Sequence, residues 1–277
     1  MGMRITTNVA SLNAQRSMST STRELQKNMA QVSTGSRITK AGDDAAGMAI
    51  SENLKAQIRS YGQASRNAND GISMIQTAEQ SMGEISNIVT RLRELGIQSG
   101  SDTIGEQERG FIQKEVDSLK AEIQRVAEST TFGSRKLLDG TGGVYDIHVG
   151  TGANEKTDWI SYDSAITNVT TDNLSLSDLD FSSKEGARAG LAALDTAQSN
   201  VNGSRANLGA LQNRLTSTID VINTMNENMS AANSRIRDTD VAAASSDLAR
   251  NNVMLQGTTA ALAQANQLPQ LALKLLG

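Results

Sequence analysis

One apolar row at period seven constrains this chain more than any other feature. Leu194, Val201, Leu208, Leu215, Ile222, Met229 and Ile236 recur at every seventh residue. Three residues on, Ala197, Ser204, Leu211, Thr218, Met225 and Ala232 form a second row, mostly small or apolar. These are heptad a and d positions sustained over six repeats, the pattern that packs helix against helix along a seam. The spacing predicts a helix from about 191 to 236, on the order of 70 Å long at 1.5 Å per residue. That is far longer than an ordinary globular helix.

Composition agrees with a seam-built molecule. One tryptophan, three tyrosines and three phenylalanines in 277 residues leave little aromatic mass for a thick core. Leu, Ile, Val, Met and Ala must supply the buried surface, and Met18, Met29, Met74, Met82, Met225 and Met229 read as filler at helix interfaces. The single proline, Pro269, leaves the predicted long helices uninterrupted. There is no cysteine, so thiolate nucleophiles, disulfides and thiolate metal sites are excluded. One histidine excludes a multi-histidine metal centre. A net charge of −4 gives no electrostatic footprint for nucleic acid. No window approaches 18 unbroken apolar residues, and the first residues lack the apolar run of a secretory signal peptide.

The first half mirrors the second. Leu54, Tyr61, Ala68, Ile75, Met82 and Val89 recur every seven residues, flanked by Ile58, Ile72, Ile85 and Leu92. A further helix follows, with Ile112, Val116, Leu119, Ile123 and Val126 in steps of four and three. Its outer side carries Lys114/Asp117, Asp117/Lys120 and Glu122/Arg125, spaced for i,i+3 support. Residues 100–105 separate the two as a loop. Toward each chain end the long row breaks phase. Met18, Leu25 and Val32 form a short row, cut off by residues 34–44. Val241, Leu248, Leu255 and Leu262 form its counterpart beyond Arg237-Asp238-Thr239-Asp240. Each end is a short helix, a break and a long helix, so the ends are expected to lie side by side. The fold class that follows is mainly α. It is a long antiparallel coiled-coil helix bundle of paired N- and C-terminal segments, with a small β-hairpin element between them.

The middle differs in kind. Residues 139–185 carry nine acids against two lysines. Val144–Val149 alternates and Trp159–Tyr162 is strand-like, which predicts a hairpin with acidic turns. Candidate chemistry fails residue by residue. Gly150-Thr151-Gly152-Ala153-Asn154-Glu155-Lys156-Thr157 resembles a phosphate-binding loop, but Glu155 puts a negative charge where amides should meet phosphate. His148 reads as an edge or solvent-facing histidine. Asp43/Asp44 and Asp238/Asp240 flank helix starts, where acids cap free amides. Asp178–Glu185 lacks the glycine and glutamate of a calcium loop. No nucleophile–base–orienter set can be assembled, and no cofactor is expected. What rises above this background is the seam of the terminal helices, Met18, Leu25, Val32, Val241, Leu248, Leu255 and Leu262. The short rows are too thin to bury themselves, so another copy of the chain is the expected partner.

Several motifs carry a family resemblance. Thr34-Gly35-Ser36-Arg37-Ile38, Ala41-Gly42-Asp43-Asp44-Ala45-Ala46-Gly47, Ala49-Ile50-Ser51, Asn69-Asp70-Gly71-Ile72-Ser73 and Ile75–Glu79 resemble the N-terminal signature of bacterial flagellin. Arg205–Ala210, Gln212–Leu215, Ser234–Asp240 and Ala263–Gln267 resemble its C-terminal one. The similarity covers roughly 3–140 and 185–276. It implies a filament subunit, with a hook–filament junction protein of the same architecture as the alternative. It implies terminal inner-core helices over 1–44 and 238–277, an outer-core helical bundle over 45–138 and 186–237, and a short outward-facing region over 139–185. It also implies export through the flagellar type III channel without a cleaved signal, to an extracellular filament. The implied partners are further copies, an export chaperone, the filament cap and hook-junction proteins. Some members are sensed by a Toll-like receptor, and Arg91, Leu95 and Glu115 match those contact positions. Departures are Ser36 for a common leucine, Gly133-Ser134 for the common Asn-Gly after Phe132, Thr90 and Gly96 in the receptor-matching segment, and Gly277 for a common arginine.

Overall fold

A computed structural model describes residues 7–276, with side-chain surroundings through residue 267; Met1–Thr6 and the divergent Gly277 lie outside the described residues. The elements run α1 (Val9–Thr34), α2 (Ala45–Ser99), α3 (Glu106–Ser129), β1 (Thr131–Phe132), β2 (Arg135–Lys136), β3 (Val144–His148), α4 (Glu155–Asp158), β4 (Trp159–Asp163), α5 (Lys184–Arg237) and α6 (Val241–Leu276). The two heptad rows lie on helices of 55 and 54 residues, each about 80 Å long at 1.5 Å per residue. The chain folds as two compact units, 1–56 with 228–277, and 57–227. The division implied by the family resemblance lies at 44/45 and 237/238. The observed division falls inside α2 and α5, because the first turns of α2 are tied to the last turns of α5. Ser51 Oγ donates to Asn233 Oδ1 at 2.7 Å, and Arg237 pairs with Glu52 at 2.5 Å.

In the terminal unit α1 and α6 form an antiparallel pair. Gly35, at φ 67°, ends α1 in the left-handed conformation that a side chain resists. The turn beyond it is pinned to the break between α5 and α6. Thr239 N donates to Gly35 O at 2.9 Å, Arg37 N to Arg237 O at 2.6 Å, and Arg37 Nη2 to Ile236 O at 2.8 Å. Ser36, the divergent position, bridges Asp238 through the backbone. Asp44 and Asp240 are caps, as their positions predicted: Asp44 Oδ1 accepts from Gly47 N at 2.8 Å, and Asp240 Oδ1 from Ala242 N at 2.9 Å. Asp43 instead organises the loop. Its Oδ2 accepts from Thr39 N, Thr39 Oγ1 and Lys40 N at 3.0–3.1 Å. At the opposite end of the pair, Asn8 and Ser11 of α1 hydrogen-bond to Ala265 and Asn266 of α6.

In the second unit the predicted rows are the core. Leu194, Val201, Leu208, Leu215 and Ile222 of α5 are buried with Ala68, Ile75, Met82 and Val89 of α2 and with Ile112, Val116 and Ile123 of α3. β3 and β4 pair antiparallel with His148 opposite Trp159 and Val144 opposite Asp163. Their inward residues Tyr145, Ile147, Ile160 and Tyr162 are buried in the same core. Ile147 packs where α2 carries Gly71, whose missing Cβ leaves room for it, and Asn67 Nδ2 donates to His148 O at 3.0 Å. The 139–185 region is part of the second unit. One side of it completes the core, while Asp146, Glu155, Asp172, Asp178 and Asp180 are exposed. β1 and β2, unforeseen in the sequence, are joined by Gly133-Ser134. Gly133 has φ 62° and Ser134 does not turn positive, the order of a type II′ turn. An Asn-Gly pair suits type I′, so this departure exchanges one hairpin turn for another.

Candidate assembly seam and contact face

The sequence-derived seam residues lie on α1 and α6, and all but one of them are partly covered in the single chain. Met18, Leu25 and Val32 on α1 and Leu248, Leu255 and Leu262 on α6 are all half-buried in the helix pair. Val241, at the first position of α6, is 53% exposed. Two helices can cover only one side of each other, and the rest of the pair stays open. Val9, Leu12, Met29, Val253 and Met254 are between 50% and 68% exposed. Fully burying one such side chain is worth roughly 1.5–3 kcal/mol. The pair therefore holds unused apolar surface, in contrast to the core of the second unit, where Ile75, Met82, Val201 and Leu215 are fully buried.

The second candidate face lies on α2 and α3. Arg91 donates to Glu115 Oε1 through Nε at 3.0 Å and Nη2 at 2.9 Å, and to Glu94 Oε2 through Nη1 at 3.0 Å. Its hydrogen bonds to the carboxylates of Glu115 and Glu94 hold the guanidinium above its ordinary pKa. Arg91 and Glu115 are exposed. Leu95, the third residue of the set implied by the resemblance, is only 2% exposed and lies in the core cluster. Exposed apolar groups nearby in sequence on these two helices are Ile97 and Phe111, with Lys114 Nζ 5.7 Å from the Phe111 ring.

The divergent Gly96 has a physical reason. Phe181, fully buried, sits between Gly96 of α2 and Gly190 of α5; a Cβ at Gly190 would stand 2.7 Å from the ring and one at Gly96 3.2 Å. Ser99 Oγ donates to Phe181 O at 2.7 Å, and Phe181 N donates to Gln113 Oε1 at 2.6 Å. Sequence reasoning missed this plug, since a lone phenylalanine in a polar stretch carries no periodic signal.

The chemical candidates are occupied by the chain itself. The Gly150–Thr157 loop wraps Asp158, whose Oδ2 accepts from Asn154 N at 2.9 Å, and Gly150 has no room for a Cβ against that carboxylate. A negative charge thus stands where a phosphate would. His148 is exposed, its Nε2 3.0 Å from Gly152 O, and its ring meets Trp159 edge-on. Asp180 caps its own turn by accepting from Ser182 N at 2.8 Å. Among the described residues no group of acids and histidine is placed to hold a metal, and no helix is long and apolar enough to cross a membrane.

Long paired helices with a half-covered apolar seam define a structural protein of the self-assembling helical class. Residues 5–142 match the bacterial flagellin N-terminal helical region, and residues 191–276 match its C-terminal helical region. The chain belongs to the bacterial flagellin family: it is a structural subunit of the flagellar filament, not an enzyme. It is 41% identical over 274 residues to a flagellin of Halalkalibacterium halodurans, spanning 99% of this chain and 100% of that one. It is 39% identical over 286 residues to the flagellar filament 33 kDa core protein of Treponema phagedenis, again at 99% and 100% coverage. The crystal structure of Bacillus cereus flagellin superposes with a TM-score of 0.51 at 28% identity, over 61% of this chain and 94% of that one. A putative flagellar hook-associated protein from Vibrio parahaemolyticus gives a TM-score of 0.60 at 15% identity, over 71% and 100%. At that identity the likeness speaks for the fold alone.

Proposed function

We propose that polymerisation is driven by covering the open faces of the α1–α6 pair with the same pairs of neighbouring copies. The observation that carries this reading is the half-burial of Leu25, Leu248, Leu255 and Leu262, beside the exposed Val9, Leu12, Met29, Val253 and Met254. A two-helix pair is marginal alone, so its ordering entropy is met when neighbours bury these side chains. Contacts that are head-to-tail and do not close a ring extend without limit, which yields a filament. The test is electron microscopy of the purified chain with filament seeds. Filaments are expected; persistent monomers with seeds present would overturn the reading.

The family resemblance supports export through the flagellar type III channel without a cleaved signal. It also supports contacts with an export chaperone, the filament cap and hook-junction proteins. It further supports recognition by the flagellin-sensing Toll-like receptor through Arg91 and Glu115, whose charged heads face solvent as an ion pair. Binding of the soluble chain to receptor ectodomain, weakened by Arg91→Ala, is the expected result. Absence of binding removes the receptor from the set.

A further inference from the structure

The end of the α1–α6 pair is closed by one side chain that serves both helices. In an α-helix the carbonyl of residue 265 accepts from the N–H of residue 269. Residue 269 is Pro269, which has no N–H, so the Ala265 carbonyl is left without its helical donor. That carbonyl lies in a buried position, since Ala265 is only 7% exposed. A buried carbonyl without a partner costs about 1–3 kcal/mol. The donor comes from the other helix: Asn8 Nδ2 reaches Ala265 O at 2.7 Å.

The same side chain caps α1. Asn8 Oδ1 accepts from Ser11 N at 3.0 Å, and Ser11 Oγ donates to Asn266 Oδ1 at 2.9 Å. The amide orientation follows from its two partners, because Ser11 N is a donor and Ala265 O an acceptor. Asp, Ser and Thr cap as well as Asn, but none presents an N–H₂ group opposite the capping oxygen. The position asks for a short side chain that accepts from its own helix and donates across the pair.

We propose that Asn8 and Pro269 form one device, a clasp that sets the register of α1 on α6. The proline frees one carbonyl inside α6, and that carbonyl marks where the start of α1 must dock. Between the clasp and the pinned turn at Gly35 the pair carries half-buried Met18, Leu25 and Val32 on α1 and Leu248, Leu255 and Leu262 on α6, with Ser21 buried beside them, and non-directional apolar packing tolerates a slip that a single hydrogen-bond acceptor does not. The clasp belongs to the single chain and holds whether or not neighbours later cover the pair.

A four-chain cycle tests it: wild type, Asn8→Ser, Pro269→Ala and the double variant, all full length. Serine keeps the cap and loses the cross-helix donor. Alanine at 269 restores the helical N–H, so the Ala265 carbonyl no longer depends on Asn8. Backbone amide exchange is read over 9–20 and 255–267. The expectation is that Asn8→Ser speeds exchange there about fivefold when residue 269 is proline. With alanine at 269 the same change is expected to have less than a twofold effect. An equal acceleration in both backgrounds, or none in either, overturns the clasp. Filament formation is scored on the same samples. A wild-type chain that exchanges as expected but never polymerises counts against the proposed function and leaves the clasp standing.

Discussion

Single residues in this chain carry weight where a glycine meets a large side chain. Gly190 and Gly203 both lie inside α5, and a helix prefers alanine to glycine by about 1 kcal/mol. Their surroundings differ. A Cβ at Gly203 meets nothing within 4 Å, whereas one at Gly190 stands 2.7 Å from Phe181 and 2.9 Å from Leu179. Overpacking of that kind costs about 1–3 kcal/mol. Gly203→Ala is therefore expected to stabilise the chain by up to 1 kcal/mol, and Gly190→Ala to destabilise it by up to about 2 kcal/mol. Denaturant midpoints read by circular dichroism distinguish the two, and Phe181→Leu should return most of the Gly190→Ala loss. If both alanines shift the midpoint the same way, Phe181 is not keyed to Gly190. The sequence offers no hint of this, because glycines at 190 and 203 look alike until Phe181 is known to lie on one of them. Tyr162 was legible only in part. Its place in β4 follows from alternation. Its hydroxyl, however, donates to Leu137 O at 2.6 Å, and burial pushes its pKa up to about 12.

At the scale of elements, the heptad rows were readable because seven-residue spacing leaves one face per helix, and the buried residues of α2 and α5 lie on it. The segment after β4 was not readable. Its backbone finds partners on α3, where Gln113 accepts from Phe181 N, Lys120 donates to Ser177 O, and Gln124 accepts from Thr171 N and Oγ1. Spacing alone paired Lys120 with Asp117 and Lys114 with Asp117. Instead Asp117 accepts from Gln113, Lys120 serves the distant loop and Lys114 lies over Phe111. Glu122 and Arg125 do pair as their spacing predicted. Within the 35–44 turn, the stretch 39–43 is gathered around one carboxylate. Backbone N–H of Lys40, then the hydroxyl and N–H of Thr39, hold Asp43 below its ordinary value of 3.8, with Lys27 adding to it. A carboxylate depressed in the folded chain stabilises it above the unfolded value, and the contribution fades as pH falls through the folded value. The turn is expected to loosen below about pH 4, seen as faster amide exchange over 39–43. In Asp43→Asn that acid-dependent step should disappear. A turn that loosens with the same pH profile in the variant would assign the effect elsewhere.

For the whole molecule the two units answer to different conditions. No residue beyond 227 belongs to the second unit, whose core side chains are already covered within one chain. In the terminal pair Leu25, Leu248, Leu255 and Leu262 are only half-covered, and the proposed assembly covers them with neighbouring copies. A charge on each therefore has a different consequence. At Leu208, 1% exposed, an aspartate would be buried unpaired inside the single chain and should unfold the second unit. At Leu255, half-buried on α6, an aspartate can turn toward water in the monomer, so the second unit keeps its helices and its unfolding midpoint. The same aspartate becomes trapped once neighbouring pairs close over it. An unpaired buried carboxylate costs several kcal/mol, and about 4 kcal/mol per subunit raises the concentration needed for polymerisation about a thousandfold. Leu255→Asp should thus give folded, soluble chains that form no filaments on seeds at concentrations where the wild type elongates. Circular dichroism melting and seeded light scattering on one preparation read both halves of this expectation. Filaments of normal length from Leu255→Asp would show that the α6 seam faces solvent in the polymer, and the assembly surface would then have to be sought on the second unit.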